Sequence, residues 1–321
     1  MVSQTALAVK VNDLVKTYAD PGGGTLRALD GVSFEVASGE FFGFLGPNGA
    51  GKTTALEIIE GIRKATSGEV HVLGVDPRRD LDQVKRMIGV QLQAASYFSL
   101  LTITEILELF GSFYSKRRPA AELLETVGLE DKGKAYVRHL SGGQQRRFSV
   151  AAALVNDPEV IFLDEPTTGL DPQMRHGLWE LLQRLNHDEG KTIILTTHYM
   201  EEAELLADRV AIIDHGKIKA IDTPRNLIAR LEGVGHIEFA ATAPVDIAEL
   251  ASLTGVSQVT SSGDGSLTPP SYRMAVTNPR SAATSLFTWA DDKKLDLRGL
   301  EVVPGTLEDV FLQLTGRELR E

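Results

Sequence analysis

The sequence predicts an α/β fold whose core is a mostly parallel β-sheet. Residues 41–60 have the pattern of a short apolar strand, a glycine-rich loop and a helix, in that order. Residues 160–163 and 192–195 are apolar throughout, without polar alternation. Strands of this kind are buried on both faces, which is typical of parallel sheets covered by helices. We therefore expect helices on both sides of a central sheet.

The remaining elements follow from hydrophobic periodicity in chain order. Residues 69–92 are expected to be rich in β-structure around one short helix, and residues 102–155 to be mostly helical. The predicted strands before residue 230 lie at 7–15, 29–36, 41–45, 160–163 and 192–195, and the predicted helices at 52–60, 81–87, 174–189 and 199–208.

A change in composition near residue 230 predicts a second domain. Residues 231–321 carry 7 Lys and Arg against 13 Asp and Glu, so this part is the more acidic one. Its pattern predicts a small α+β unit of βαββαβ type followed by a helix. In that last helix, four apolar residues have the i, i+3, i+4, i+7 spacing of one face. Leu307, Val310, Phe311 and Leu314 are expected to pack on a core or, alternatively, to form an interface with a second subunit.

The composition also excludes several classes of protein. A net charge of −11 repels phosphate backbones and disfavours broad nucleic-acid binding. Cysteine is absent, which excludes disulfide scaffolds, thiolate zinc sites and cysteine catalysis. No apolar run approaches the roughly 20 residues of a membrane span, and the N-terminus lacks the pattern of a secretory signal. We expect a soluble cytoplasmic protein, and action at a membrane surface stays open.

The glycine-rich loop has the chemistry of a phosphate site. Residues 46–53 match G-x-x-x-x-G-K-[ST], in which glycines let successive backbone amides point at one phosphate group. Lys52 is expected to reach the β- and γ-phosphates, and the Thr53 hydroxyl to bind Mg²⁺. A chance match is the alternative, but the strand before the loop and the helix after it favour nucleotide binding.

Three other segments carry polar residues at the ends or starts of predicted elements. The apolar strand at 160–163 is followed by Asp164, which can bind Mg²⁺, and by Glu165, which can polarise a water. Taken alone, such a pair is more often a solvated turn. Residues 140–147, with the sequence LSGGQQRR, form a second glycine loop that opens a helix. His198 follows the strand at 192–195 after two threonines. Taken alone, such a histidine is more often structural.

Together these motifs resemble the nucleotide-binding subunit of ATP-binding cassette (ABC) transporters. LSGGQQRR lies between the phosphate loop and the Asp-Glu pair, with GLDP at 169–172 and TTH at 196–198. The resemblance runs from about Leu7 to residue 230. It implies a P-loop NTPase cassette at 1–230 with an antiparallel β subdomain and a helical signature subdomain at about 94–155. The α+β domain at 231–321 is expected to be structural or dimer-stabilising.

The resemblance also implies a role for each matching residue. Glu165 is the catalytic base, and His198 is the switch histidine. Gln93 is the Q-loop glutamine, which serves catalysis and binds the metal. It is preferred over Gln91 because it closes the strand. Asp164 and Thr53 are the other metal ligands. The residues implied to bind nucleotide are Tyr18, which stacks on adenine, Asn48, Gly49, Ala50, Gly51, Lys52, Thr53 and Thr54 of the Walker A loop, Ser141, Gly142, Gly143 and Gln144 of the signature, and Asp171 of the D-loop.

In this family the signature of one subunit closes over ATP held by another. The resemblance thus implies ATP and Mg²⁺ as ligands, a head-to-tail homodimer, and a separately encoded membrane permease, with no nucleic-acid partner. We expect Tyr97 and Phe98 to contact the permease; the alternative is that they pack inside the helical subdomain. The tail at 305–320 resembles the daunorubicin-resistance type of export ATPase, which implies export of a drug, lipid or other amphiphile from the cytoplasmic membrane face.

Two other functions are weighed against this one. A soluble cassette ATPase that acts on ribosomes or DNA would carry two cassettes or a long coiled-coil arm, neither of which the sequence shows. A nucleotide-dependent regulatory module without turnover would lack Glu165 or His198. Both alternatives are therefore disfavoured.

Overall fold

The computed structural model describes residues 6–20, 23–92, 97–230, 235–262 and 270–316. The described residues fold as two compact units, one within Met1–Pro224 and one within Arg225–Glu318. No helix within the described ranges has the length and apolar character of a membrane span.

The first unit alternates strands and helices after two long N-terminal strands. In chain order its elements are β1 (Leu7–Asp20), β2 (Gly24–Ala37), β3 (Phe41–Leu45), α1 (Lys52–Ile59), β4 (Ser67–Val72), α2 (Leu81–Met87), β5 (Ile88–Gln91), α3 (Ile103–Gly111), α4 (Ala120–Thr126), α5 (Gly142–Ala153), β6 (Val160–Asp164), α6 (Pro172–His187), β7 (Thr192–Thr197), α7 (Met200–Leu206), β8 (Arg209–Asp214) and β9 (Lys217–Asp222).

Six strands form the central sheet in the order β5-β6-β7-β3-β8-β9. The first five are parallel, and β9 runs antiparallel to β8. Every residue of β3, β6 and β7 is buried, as their continuous apolar sequences predict. Because these three strands are adjacent and parallel, their carboxyl ends meet at one edge of the sheet. This edge carries the phosphate loop, Asp164 and His198.

A second, antiparallel sheet has the order β2-β1-β4. Phe34 of this sheet packs against Phe42 and Phe44 of β3, with ring centroids 5.5 and 4.9 Å apart. The two sheets therefore share one apolar core. Strand β1 extends to Asp20, beyond the predicted end at residue 15, because pairing with β2 continues through its polar residues.

Strand β5 ends at Gln91, so the expectation that Gln93 closes it is wrong. The pairing of β5 with β6 stops where Gln91 lies opposite Leu163. Gln91 is buried, and its Nε2 donates a hydrogen bond of 2.8 Å to the carbonyl oxygen of Leu92. Gln93 lies outside the described residues. The helices predicted within 102–155 are present as α3, α4 and α5.

The second unit is built on a four-stranded antiparallel sheet. The strand order is β11 (Val256–Ser262), β12 (Ser271–Val276), β10 (Gly235–Ala241) and β13 (Leu297–Pro304), and helix α10 (Pro279–Lys293) packs against the core of this sheet. Three of the four residues in the predicted apolar face of its last helix are buried, whereas Leu314 is 40% exposed. The elements that follow the first unit are α8 (Pro224–Arg230), β10 (Gly235–Ala241), α9 (Ile247–Ala251), β11 (Val256–Ser262), β12 (Ser271–Val276), α10 (Pro279–Lys293), β13 (Leu297–Pro304) and α11 (Leu307–Thr315).

Candidate nucleotide site

The phosphate loop joins the end of β3 to the first residue of α1. Gly49 and Gly51 have φ angles of 79° and 108°, a left-handed conformation that favours glycine. A Cβ atom at Gly51 would lie 2.5 Å from the carbonyl oxygen of Ala28, so this position also requires glycine for space. The N-cap residue of α1 is Gly51, which has no side chain to accept a hydrogen bond from the first amides of the helix. The N-terminus of this helix is thus available to an anion.

Lys52 lies buried beneath this loop. Its Nζ donates hydrogen bonds to the carbonyl oxygens of Gly46, at 2.7 Å, and Pro47, at 3.2 Å. The same atom lies 3.3 Å from Oε1 of Glu165, an ion pair that is almost fully buried. Burial lowers the pKa of Lys52, and the carboxylate opposes that shift. The ammonium group is therefore held between the loop and the carboxylates at the ends of the neighbouring strands.

Asp164 receives two hydroxyl hydrogen bonds at the end of β6. Thr53 Oγ1 donates to Asp164 Oδ1 at 3.2 Å, and Thr196 Oγ1 donates to the same oxygen at 2.5 Å. Register explains the second contact, because Asp164 lies opposite Thr196 in the β6–β7 pair. Burial raises the pKa of Asp164, so this carboxyl group lacks full compensation for its negative charge.

Glu165 follows in a left-handed conformation, with φ 46°. Its backbone N–H donates to Thr196 Oγ1 at 3.0 Å, which holds this strained residue against β7. Oε2 lies 3.4 Å from Nδ1 of His198 and accepts a hydrogen bond of 3.2 Å from the Thr168 hydroxyl. His198 and then Lys52 lower the pKa of Glu165 to about 2, against the effect of burial. The side chain is therefore a carboxylate at neutral pH.

Lys52, Thr53, Glu165 and His198 line one cavity of about 570 Å³, whereas Asp164 is not on its wall. The sequence-predicted residues on its wall are Asn48, Gly49, Gly51, Lys52, Thr53, Thr54, Glu165 and His198. Ala50 is buried within the loop. Ala28, Thr168 and Tyr199 also line the cavity, and the motifs predict neither these three nor the contribution of Thr196. Thr168 lies between the Asp-Glu pair and GLDP at 169–172, and Thr196 lies inside TTH at 196–198, but only strand register and loop geometry reveal their partners.

The residues present fit a magnesium ion with few protein ligands. Within the described ranges, no group of three or more His, Asp or Glu side chains could hold a metal. Mg²⁺ is commonly bound by one or two carboxylates together with substrate phosphates and water. Thr53 offers a hydroxyl oxygen and Asp164 a carboxylate oxygen beside the phosphate loop. A cation there would favour the ionised form of Asp164, whose pKa burial raises.

The signature segment lies apart from the cavity wall and caps its own helix. Ser141 is the N-cap of α5. Its hydroxyl accepts a hydrogen bond from the backbone N–H of Gln144, and the side-chain Oε1 of Gln144 accepts one from the backbone N–H of Ser141. Asp171 caps α6 in the same manner, accepting from the Met174 N–H at 2.9 Å. A Cβ atom on Gly143 would lie 2.5 Å from the Met174 sulfur, so the two helix starts adjoin. The structure thus groups the signature with the D-loop.

Three other predicted residues lie at separate places. Tyr18, near the end of β1, contacts the cationic groups of Lys16 and Arg63 and is not on the cavity wall. Tyr97 packs against Phe148, with ring centroids 5.0 Å apart, and burial raises its pKa to about 12. Phe98 is 55% exposed.

The fold and the site define a P-loop ATPase of cassette type. The family model described as ABC transporter matches residues 29–168. Nod factor export ATP-binding protein I of Paraburkholderia xenovorans is 40% identical, over 98% of this chain and 99% of its own length. Linearmycin resistance ATP-binding protein LnrL of Bacillus subtilis is 36% identical, over 93% and 96%. The chain therefore belongs to the family of ABC transporter ATP-binding proteins, and it is an ATPase.

Solved structures agree with this assignment. A dimeric post-hydrolysis state of the ATP-binding cassette MJ0796, bound to ADP and Pi, has a TM-score of 0.61 and 32% identity. The match covers 67% of this chain and 98% of the solved chain. CbiO1 from Clostridium perfringens, described as part of the CbiONQ transporter complex, also has a TM-score of 0.61, with 29% identity over 70% of this chain and 91% of its own. The predicted P-loop cassette fold is thus confirmed.

Proposed function

We propose that the chain is the ATP-hydrolysing motor of an ABC exporter. Two copies would bind two ATP molecules head to tail and drive a separately encoded permease from the cytoplasmic face of the membrane. The arrangement of Lys52, Glu165 and His198 around one cavity carries this proposal. The names of the relatives, which mention Nod factor export and linearmycin resistance, support export of an amphiphile such as a drug or lipid.

Each residue proposed for this site has a task in hydrolysis. Lys52 and the N-terminus of α1 bind the phosphates. Thr53, Asp164 and, by the family resemblance, Gln93 would hold Mg²⁺, which would neutralise phosphate charge. Glu165 accepts a proton from the attacking water, and its low pKa keeps it ionised for that purpose. His198, 3.4 Å from Glu165, orients this carboxylate and contacts the γ-phosphate.

The signature supports the proposed dimer because it lies outside the cavity of its own chain. Ser141, Gly142, Gly143 and Gln144 form a helix start, the kind of backbone that binds phosphate. Their neighbour Asp171 sits at the start of α6, next to the same surface. In a head-to-tail pair this surface closes over the nucleotide of the second copy. The unit after Pro224 is proposed to have a structural or dimer-stabilising role.

The residues of the proposed permease contact differ in exposure. Tyr97 packs against Phe148, within the helical region. Phe98 and Leu100 are 55% and 80% exposed, unusual for large apolar side chains so close together. We therefore place the contact at Phe98 and Leu100, next to Tyr97 in the chain.

Steady-state ATP hydrolysis tests the proposal. Wild-type chain with Mg²⁺ is expected to turn over ATP, and Glu165→Gln to lower kcat by at least about 100-fold, since general base catalysis typically contributes 10²–10⁴-fold. Because the neutral amide removes repulsion near the phosphates, this variant should form dimers in ATP. Glu69→Gln, on the exposed face of β4, is the matched control. ATP binding without turnover in the wild type, even with its permease, would favour a regulatory module instead.

A further inference from the structure

The Tyr18 ring lies beside two cationic side chains. Lys16 Nζ is 5.0 Å and Arg63 Cζ is 5.5 Å from the ring centroid, both within the range of a cation–π interaction. Lys16 is also tied to the chain after α1, since its Nζ donates to the carbonyl oxygen of Lys64 at 2.8 Å. Tyr18 therefore meets groups from the far end of α1 as well as from its own strand.

Arg63 is itself anchored to α1. Its Nε lies 2.5 Å from Oε2 of Glu57, and its backbone N–H donates to the Glu57 carbonyl oxygen at 2.9 Å. Glu57 lies on the helix that begins at the phosphate loop. The contacts thus form a continuous chain, from the phosphate loop through α1, Glu57 and Arg63 to the Tyr18 ring.

We propose that Arg63 is a positioning residue for the base of the bound nucleotide. It holds the Tyr18 ring in a fixed orientation relative to the phosphate loop, so that a purine base meets an ordered aromatic face while its phosphates occupy the loop. This inference rests on the proposed stacking of adenine on Tyr18. A side chain ordered before binding has less conformational entropy to lose when the ligand arrives. The benefit applies only to ligands that carry a base.

The proposal differs from two simpler roles for Arg63. If its charge attracted the phosphates directly, any polyphosphate would bind more weakly without it. If it only stabilised the fold, ligands with and without a base would again be affected equally. Comparison of ADP with inorganic pyrophosphate separates both roles from positioning, and neither ligand requires hydrolysis during the measurement.

The experiment is isothermal titration calorimetry on the full chain with Mg²⁺. Arg63→Met removes the guanidinium group and keeps an apolar stem. We expect it to weaken ADP binding roughly three- to ten-fold, the cost of ordering one side chain on binding, and to leave pyrophosphate binding within about two-fold. Arg78→Met is the matched control, because Arg78 pairs with Asp76 without a contact to Tyr18. That control should leave both affinities unchanged.

A double-mutant cycle with Tyr18→Ala completes the test. If Arg63 acts through the ring, Arg63→Met should weaken ADP binding no further in the Tyr18→Ala background. Equal weakening of both ligands, an unchanged ADP affinity, or full additivity in the cycle would overturn the positioning role. Should Tyr18→Ala itself leave ADP affinity unchanged, adenine stacking on Tyr18 fails as well. If Tyr18→Ala weakens ADP binding and Arg63→Met does not, only the inference about Arg63 falls.

Discussion

Glu165 combines a strained backbone with a strongly stabilised negative charge. A non-glycine residue in the left-handed region costs on the order of 1–3 kcal/mol. The Thr196 hydroxyl, Lys52 and His198 hold the residue there through contacts at its backbone and at both carboxylate oxygens. The backbone strain places the carboxylate between the phosphate loop and the switch histidine, where the proposed hydrolysis needs it.

Glu60 provides a prediction about pH dependence. Burial, followed by the charges of Asp164 and Glu57, raises its pKa to about 8. The unfolded chain loses this proton near pH 4.5, whereas the folded chain keeps it to about pH 8. Glu60 therefore lowers stability progressively as the pH rises between these two values, and its penalty is constant above that range.

Replacement of Glu60 by Gln removes this titration. We expect the stability advantage of Glu60→Gln over the wild type to increase by about 4 kcal/mol between pH 5 and pH 9, since one pKa unit corresponds to about 1.4 kcal/mol. The cost of the buried amide is the same at both pH values and cancels from this difference. Urea unfolding of the nucleotide-free chain at both pH values measures the difference. A stability difference that is the same at pH 5 and pH 9 would contradict the shifted pKa.

The residues around the nucleotide divide into those that local sequence predicts and those that need the fold. Gly49, Gly51 and Lys52 belong to a contiguous motif whose chemistry is evident from the sequence alone. Thr196 could not be assigned, because its partner Asp164 is 32 residues away and meets it only through parallel strand register. The sequence leaves open whether Tyr97 contacts the permease or packs inside the helical subdomain, and its ring contacts in the structure lie within the helical region.

At the level of elements, helices α6 and α7 are joined by a buried hydrogen bond. Trp179 Nε1 donates to Oε1 of Glu202 at 3.0 Å, and Glu202 has no exposed surface. Burial raises the pKa of Glu202. Since α6 begins at Asp171 and α7 follows His198, this bond ties together the elements behind the D-loop and the switch histidine.

Trp179→Phe should therefore destabilise the first unit by about 1–3 kcal/mol, because a buried acceptor loses its donor. Trp289→Phe is the matched control: Trp289 donates to Glu249, which is solvent-exposed, and a smaller loss is expected. Urea unfolding followed by circular dichroism gives both values. Equal losses in the two variants would show that ring size, and not the buried acceptor, determines the effect.

Strands show the same division between local and non-local information. Strands β3, β6 and β7 were predictable because continuous apolar runs have few other places in a fold. The second half of β1 was not, since Lys16 to Asp20 is largely polar and its strand form depends on pairing with β2. The end of β5 at Gln91 likewise depends on where β6 stops pairing.

On the scale of the whole molecule, all the residues that line the nucleotide cavity belong to the first compact unit. Ligand binding stabilises what it contacts, by about 2.7 kcal/mol at 100 times the dissociation constant. We expect Mg²⁺ and ADP to slow hydrogen exchange in the core strands of the first unit and to leave the sheet β11-β12-β10-β13 unchanged. Comparable slowing in both units would show that the second unit takes part in nucleotide binding.

The capping of α5 by its own residues has a kinetic consequence. Because Ser141 and Gln144 satisfy each other's backbone groups, this helix start is ordered before any nucleotide arrives. In the proposed dimer, two preformed surfaces would then meet, and neither would have to fold during the encounter. Association should be governed by diffusion and orientation, with rate constants of roughly 10⁵–10⁷ M⁻¹s⁻¹, and the lifetime of the pair would be controlled by its dissociation.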